Sequence, residues 1–267
     1  MTLQYTVIDP TKNITLLVTT PMPRKYYAEI ASHLLALEKD AEQVGFLESS
    51  EENDAALRMM GGEFCGNATM SLGAWLCRDD AVGTDRHFSL DVSGVDTPVP
   101  CDISVVRHGY IGTVSMPLPE KVETLTLPFG DGEISLDAVF LPGICHIIAP
   151  NGTVQRYQAE DALRKWADIL QMDAVGLLLF DETAMHFDPL VYVKATDTAV
   201  WERGCGSGSA AIGALMTQNR GAGQCLSLKQ PGGTIAVATA LQGDVITSLT
   251  ITGTVTLGKN KAVDITW

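Results

Sequence analysis

The chain repeats itself, and the repetition limits what it can fold into. Two Cys-Gly dipeptides each open an Ala- and Gly-rich apolar run. The first reads Gly61-Gly62-Glu63-Phe64-Cys65-Gly66-Asn67-Ala68-Thr69, the second Glu202-Arg203-Gly204-Cys205-Gly206-Ser207-Gly208-Ser209. The two cysteines are 140 positions apart in 267 residues. Aligned on them, Gly66 meets Gly206, Gly73 meets Gly213 and Ala74 meets Ala214. What surrounds them also recurs in order. Strand-like stretches at 5–8 and 14–19 match those at 134–140 and 146–148. Helical spacing follows, with Tyr27, Ile30, Leu34 and Leu37 in one half and Leu163, Trp166, Ile169 and Leu170 in the other. Val44-Gly45 answers Val175-Gly176, and Ser89-Leu90 before Gly94 answers Ser227-Leu228 before Gly232-Gly233.

Strands dominate and two helices fall in each half. The expected fold is therefore α+β, with two pseudo-symmetric domains, each a curved, mostly antiparallel sheet wrapped around a central helix. The polar, Pro-containing stretch 117–121 divides them into a repeat at 1–119 carrying Cys65 and one at 120–267 carrying Cys205. That boundary is soft, because a terminal strand is able to cross back to the other domain.

With 46% apolar and 19% charged residues the composition is globular. A net charge of −14 repels phosphate and argues against nucleic acid as a partner. No apolar run approaches the ~20 residues that cross a bilayer. The first residues lack the basic-then-apolar pattern of a signal peptide. The expectation is a cytoplasmic protein with no membrane partner. Its oligomeric state is open, a homodimer included.

None of the six cysteines forms a CxxC pair, and no histidines stand at finger spacing, so no metal is expected. In a reducing compartment the thiols stay free. Cys77, Cys101 and Cys225 read as small buried apolar residues, and so does Cys145, although His146 adjoins it. No Gly-rich phosphate loop accompanies a suitable lysine, so no pyridoxal phosphate or other cofactor is expected.

Cys65 and Cys205 immediately precede apolar helical runs at 67–76 and 207–216. A thiol at a helix N-terminus has its pKa lowered by free N–H groups and the macrodipole. The same N–H groups, at Gly66, Asn67, Gly206 and Ser207, make an anion site. Two such helix ends facing each other would grip a carboxylate between two thiols. That is the layout for inverting an α-amino acid without a cofactor. Backbone donors stabilise the dianionic carboxylate of the carbanion, one thiolate removes the α-proton, and the opposite thiol returns one. Three other readings of the cysteines stay open: core residues at tight helix starts, a redox pair whose sulfurs approach to about 2 Å, and a non-catalytic amino-acid binder.

At these residues the chain resembles the diaminopimelate epimerase-like superfamily of cofactor-independent racemases and epimerases. The resemblance rests on Phe64-Cys65-Gly66-Asn67-Ala68, on Glu202-Arg203-Gly204-Cys205-Gly206-Ser207-Gly208 and on the turn Pro231-Gly232-Gly233. It implies that Cys65 and Cys205 are the acid/base pair, that Gly66, Asn67, Gly206 and Ser207 hold the α-carboxylate, and that the partner is a small-molecule amino-acid substrate. By the same resemblance Asn13 lies where an asparagine contacts substrate, while a turn asparagine is the plain alternative. Gln43 points into the cleft or lies in a linker. A carboxylate at Glu63 or Glu202 would recognise an imidazole or orient the site, with a helix-start acid the plain alternative; Glu202 ranks higher because it belongs, with Arg203, to the matched motif. His146 and His186 are candidates by residue type, with a structural role the better reading.

The departures concern the substrate. Ile144 replaces a polar Asn, Ala55-Ala56-Leu57 stands where an Asn is expected, and the strand at 176–180 lacks another. Without those amides a second charged terminus goes unmatched, which disfavours diaminopimelate. The compact second motif is most similar to the histidine racemases of this superfamily, some of which supply D-histidine for metallophores. The expected reaction is L-histidine to D-histidine. A diaminopimelate-type epimerase and a hydroxyproline-type isomerase are the alternatives.

Overall fold

The computed structural model describes residues 1–194 and 197–265. Residues 195, 196, 266 and 267 of the expected second repeat lie outside the described residues. The chain forms two compact units. The first contains residues 1–115 and 252–267, the second 116–251. The sequence division placed 252–267 with the second repeat, whereas residues 252–265 group with the first.

In the first unit the order is β1 (Thr2–Pro10), β2 (Thr15–Val18), α1 (Tyr27–Leu37), β3 (Gln43–Glu48), β4 (Ala55–Met59), α2 (Gly66–Leu76), β5 (Asp85–Val92), β6 (Val99–Val106) and β7 (Gly109–Ser115). The second has β8 (Lys121–Phe129), β9 (Gly132–Leu141), β10 (Ile144–Pro150), α3 (Arg156–Leu170), β11 (Ala174–Asp181), β12 (His186–Val193), β13 (Thr198–Trp201), α4 (Gly206–Arg220), β14 (Cys225–Gln230) and β15 (Gly233–Gln242). The long last strand β16 (Val245–Asp264) begins in the second unit and ends in the first.

The repetition read from the sequence is a repetition of strand pairing. From β1 to β6 the successive pairs run antiparallel, parallel, antiparallel, parallel, antiparallel. From β9 through β10, β11, β12 and β14 to β15 they run in the same alternation. Parallel neighbours cannot be joined by a tight turn and need a crossover. The crossovers are the helices: α1 joins β2 to β3, α2 joins β4 to β5, α3 joins β10 to β11, and α4 lies between β12 and β14. The correspondence extends to the edge. β8 pairs antiparallel with β9, and the end of β16 fills the same place beside β1, from Thr2↔Asp264 to Pro10↔Val255.

α1 and α3 are amphipathic and bury one stripe each. Tyr27, Ile30, Ala31 and Leu34 face inward from α1, with Tyr27 stacked on Phe46 at 3.7 Å. Ala159, Leu163, Trp166 and Ala167 face inward from α3, and Trp166 donates its indole N–H to the Pro128 carbonyl at 2.9 Å. Two residues of the expected stripes are exposed. Leu37 is the last residue of α1, and Ile169 lies about 100° from Leu170 around the helix.

α2 and α4 are different, because their sequences are small and apolar on all sides and both are buried. Residues 66–74 of α2 are inaccessible without a break, and the helix packs on β1, β2, β5, β6 and β7. α4 packs on β9, β10, β14 and β15. A sheet wrapped around a central helix leaves no room for bulk where they touch. A methyl group on Gly73 would sit 2.8 Å from Cys101 Sγ, and one on Gly213 would overlap Val237. The two glycines in phase with the cysteines thus perform the same packing task.

Cys77, Cys101 and Cys145 are buried as expected, but Cys225 is exposed. β14 alternates, with Leu226, Leu228 and Gln230 inward, which turns Cys225 outward.

Candidate active site

Each cysteine caps its helix. Cys65 has extended backbone (φ −139°, ψ 109°), and its sulfur accepts the Ala68 N–H at 3.4 Å. Cys205 has φ −116° and ψ 106°, and its sulfur accepts the Gly208 N–H at 3.3 Å. The thiol stands where a Ser or Asp side chain normally satisfies a free N–H. The next turn repeats as well: Thr69 Oγ1 donates to the Cys65 carbonyl at 2.8 Å, and Ser209 Oγ to the Cys205 carbonyl at 2.8 Å.

A glycine turn fixes the segment that leads into each cap. Gly94, at φ +80°, lies so close to Phe64 N that no side chain fits, and neighbouring Ser93 donates its hydroxyl to the Glu63 carbonyl at 2.7 Å. In the second unit Gly232 N–H donates to the Arg203 carbonyl at 2.7 Å. Gln230, just before that turn, accepts the Cys205 N–H at 2.5 Å and donates to Ser209 Oγ at 3.0 Å.

The side chains around the two sulfurs differ. In the first unit Asn13, Gln43 and Asn67 meet at Cys65. The Cys65 thiol donates to Gln43 Oε1 at 3.1 Å. Gln43 Nε2 donates to Asn13 Oδ1 at 2.7 Å and to Thr15 Oγ1 at 2.8 Å, and Asn67 Nδ2 donates to Asn13 Oδ1 at 3.0 Å. Asn13, Thr15, Gln43 and Asn67 are all buried. Glu63 is exposed and its carboxylate folds back over Gly61.

In the second unit Cys205 is buried, with its sulfur 3.5 Å from Ser207 Oγ. Ser207 Oγ is in turn 2.9 Å from His146 Nε2. Burial pushes the Cys205 thiol well above its ordinary range, and the Glu202 carboxylate beside it pushes in the same direction. Ser207 and the Gly208 N–H pull it down by less. The expected lowering by the helix end is thus outweighed at Cys205, because desolvation of a thiolate costs more than a few backbone dipoles return. Arg203 is half-buried and holds the turn through its carbonyl. Gly66 and Gly206 are the buried first residues of their helices.

His146 belongs to this arrangement, which its residue type alone did not show. It is fully buried, and burial lowers its pKa to about 3, so the ring is neutral. Nδ1 has no hydrogen-bond partner among the described residues, and a methyl group on Gly176 would overlap it. The sequence signal was Val175-Gly176, a glycine inside a strand, which marks close approach by another group. Gln230, Thr15 and Glu42 also escaped the sequence reading. His186 lies elsewhere, 4.0 Å from Asp188. Among the described residues no three His, Cys, Asp or Glu side chains are grouped to hold a metal ion, and no helix is long and apolar enough to cross a membrane.

The comparisons with known proteins agree with one another. The family model described as histidine racemase CntK N-terminal domain matches residues 2–261. A histidine racemase of Staphylococcus aureus is 31% identical over 266 residues, covering 93% of this chain and 96% of that protein. A histidine racemase of Fusobacterium nucleatum is 28% identical over 219 residues, covering 79% and 80%. Among solved structures, a hydroxyproline epimerase from Agrobacterium vitis superposes with a TM-score of 0.74 at 15% identity, covering 98% of this chain and 92% of that one, which shows the shared fold. With a family model spanning nearly its whole length and a full-length relative at this identity, the chain belongs to the histidine racemase family and is an amino-acid isomerase of the racemase and epimerase class.

Proposed function

We propose that this protein interconverts L- and D-histidine with Cys65 and Cys205 as its two acid/base groups, and with neither pyridoxal phosphate nor a metal. The observation that carries the reading is one N-capping thiol in each unit, set in the same backbone geometry. Inversion at Cα needs a proton taken from one face and another delivered to the opposite face, so it needs two such groups.

The α-hydrogen of an amino acid is weakly acidic because its carbanion spreads charge into a carboxylate that is already negative. The N–H groups at Gly66 and Asn67 and at Gly206 and Ser207 are the donors for that carboxylate, and they strengthen as its charge grows. For Cys205 to act as base its proton must first leave. Glu202, already adjacent, is the acceptor for it. When Cys205 takes the α-proton, the S–H of Cys65 supplies the new one, and the reverse reaction exchanges the roles. The binding assignments of Asn13, Gln43, Glu202 and Arg203 rest on the resemblance together with the positions of these residues beside the caps.

The test is incubation with each L-amino acid in D2O, followed by proton NMR for loss of the α-hydrogen signal. Histidine is expected to exchange and to racemise. Exchange confined to diaminopimelate would refute the substrate, and exchange by a Cys65→Ser, Cys205→Ser double variant would refute the mechanism.

A further inference from the structure

The side chains leading to Cys65 form a hydrogen-bond chain whose direction is set at its far end. Glu42 stands immediately before β3. An ionised carboxylate only accepts, and Asn13 Nδ2 donates to Glu42 Oε2 at 2.6 Å. Asn13 must therefore turn its oxygen the other way, where Oδ1 receives Gln43 Nε2 at 2.7 Å and Asn67 Nδ2 at 3.0 Å. The second Gln43 amide proton goes to Thr15 Oγ1 at 2.8 Å, and the Thr15 hydroxyl proton goes to the Asn13 carbonyl at 3.2 Å. Both donors of Gln43 are thus committed, and its Oε1 is the atom that faces the Cys65 sulfur at 3.1 Å. An amide oxygen has no proton to offer, so this bond exists only while the sulfur carries one.

We propose that Glu42, acting through Asn13 and Gln43, fixes the polarity of this chain and thereby holds Cys65 in its protonated, proton-donating form. Glu42 and Asn13 are positioning residues. This deepens the reading of Cys65 as an acid/base group and rests on it. A thiolate at Cys65 would face the negative end of Gln43. Turning Gln43 over would set its oxygen against Asn13 Oδ1. Turning Asn13 over as well would set Oδ1 against the Glu42 carboxylate. Each arrangement opposes two acceptors in a buried place, where an unmade hydrogen bond is expensive. The carboxylates concerned are Glu42 at the end of the chain and the exposed Glu63 on the Cys65 segment.

The test is alkylation by iodoacetamide, quantified at each cysteine by mass spectrometry from about pH 6 to about pH 10. Glu42→Gln keeps the shape but presents either an oxygen or an N–H to Asn13, so the chain can reverse and offer Gln43 Nε2 to a thiolate. Cys65 is expected to react about tenfold faster in the variant near neutral pH, with the gain vanishing at the alkaline plateau and Cys205 unchanged, since one pH unit of proton affinity is a factor of ten. No gain, or a gain of equal size at every pH, would overturn the proposal. If Glu42→Gln does not fold by circular dichroism, Asn13→Leu cuts the same chain one link nearer and carries the same expectation. The readout needs no substrate. Parent protein that fails to racemise histidine while Cys65 responds as described would refute the proposed function and leave this inference standing.

Discussion

The two cysteine caps share a backbone and differ in what touches the sulfur. Cys65 is half-buried and donates to a neutral amide at the end of an Asn–Gln chain. Cys205 is buried beside a carboxylate and a serine held by a neutral histidine. The helix ends match, and the difference lies in the side chains around each sulfur. The proposed reaction asks the same proton transfer of both caps, so the comparison sets one task against two different surroundings.

The comparison can be broken most directly at the sulfurs. Cys65→Ser and Cys205→Ser should each lower histidine racemisation by about 10²–10⁴-fold, the usual worth of a positioned acid or base, as followed by polarimetry. A variant that keeps near-parental turnover would leave only one cap functional. Less drastic is Gly176→Ala, whose methyl group would displace the His146 ring. A loss of about 1–3 kcal/mol in urea unfolding is expected from overpacking, with Cys65 alkylation unaffected because the change lies in the other unit.

Acid probes the same histidine. Its folded pKa of about 3 lies below the unfolded value near 6.5. The unfolded chain therefore binds the proton first, and stability is lost as pH falls below about 6.5. At about pH 5 the folded ring is still neutral, which corresponds to a loss of about 2 kcal/mol from this group. His146→Gln should show a correspondingly smaller drop between about pH 7.5 and about pH 5 in urea titrations. An identical drop in the parent and the variant would show that His146 charges in the folded state. The smallest effect is expected at Cys225→Ser. That exposed thiol should be alkylated fastest in the parent, and its replacement should change stability by less than about 0.5 kcal/mol.

Much of the fold was legible because periodicity and small residues report local burial. Gly73 and Gly213 stood in phase with the cysteines, and both turned out to be contact points between a central helix and its sheet. Cys225 was misread because a single residue type says little about which face of a strand it occupies. The caps themselves were legible, since Cys-Gly before a small apolar run is a local pattern. The second layer was not. His146 meets Ser207 across 61 positions, and Gln230 reaches Cys205 across 25. Such pairings follow from strand register, which no short motif encodes. Gln43 sat between two readings, cleft or linker, because its place at the first residue of β3 is decided by the parallel pairing Thr15↔Gln43.

The last strand has a consequence for how the chain is made. Residues 116–251 are contiguous, so the second unit can close as soon as they leave the ribosome. The first unit cannot, since β1 awaits partners as late as Asp264. Translation therefore delivers β1 long before the strand it pairs with, and its edge stays open until residues 255–264 emerge. Pairings separated by so much chain also form slowly. Removing residues 255–264 should consequently injure the Cys65 half, far from them in sequence, more than the half that directly precedes them.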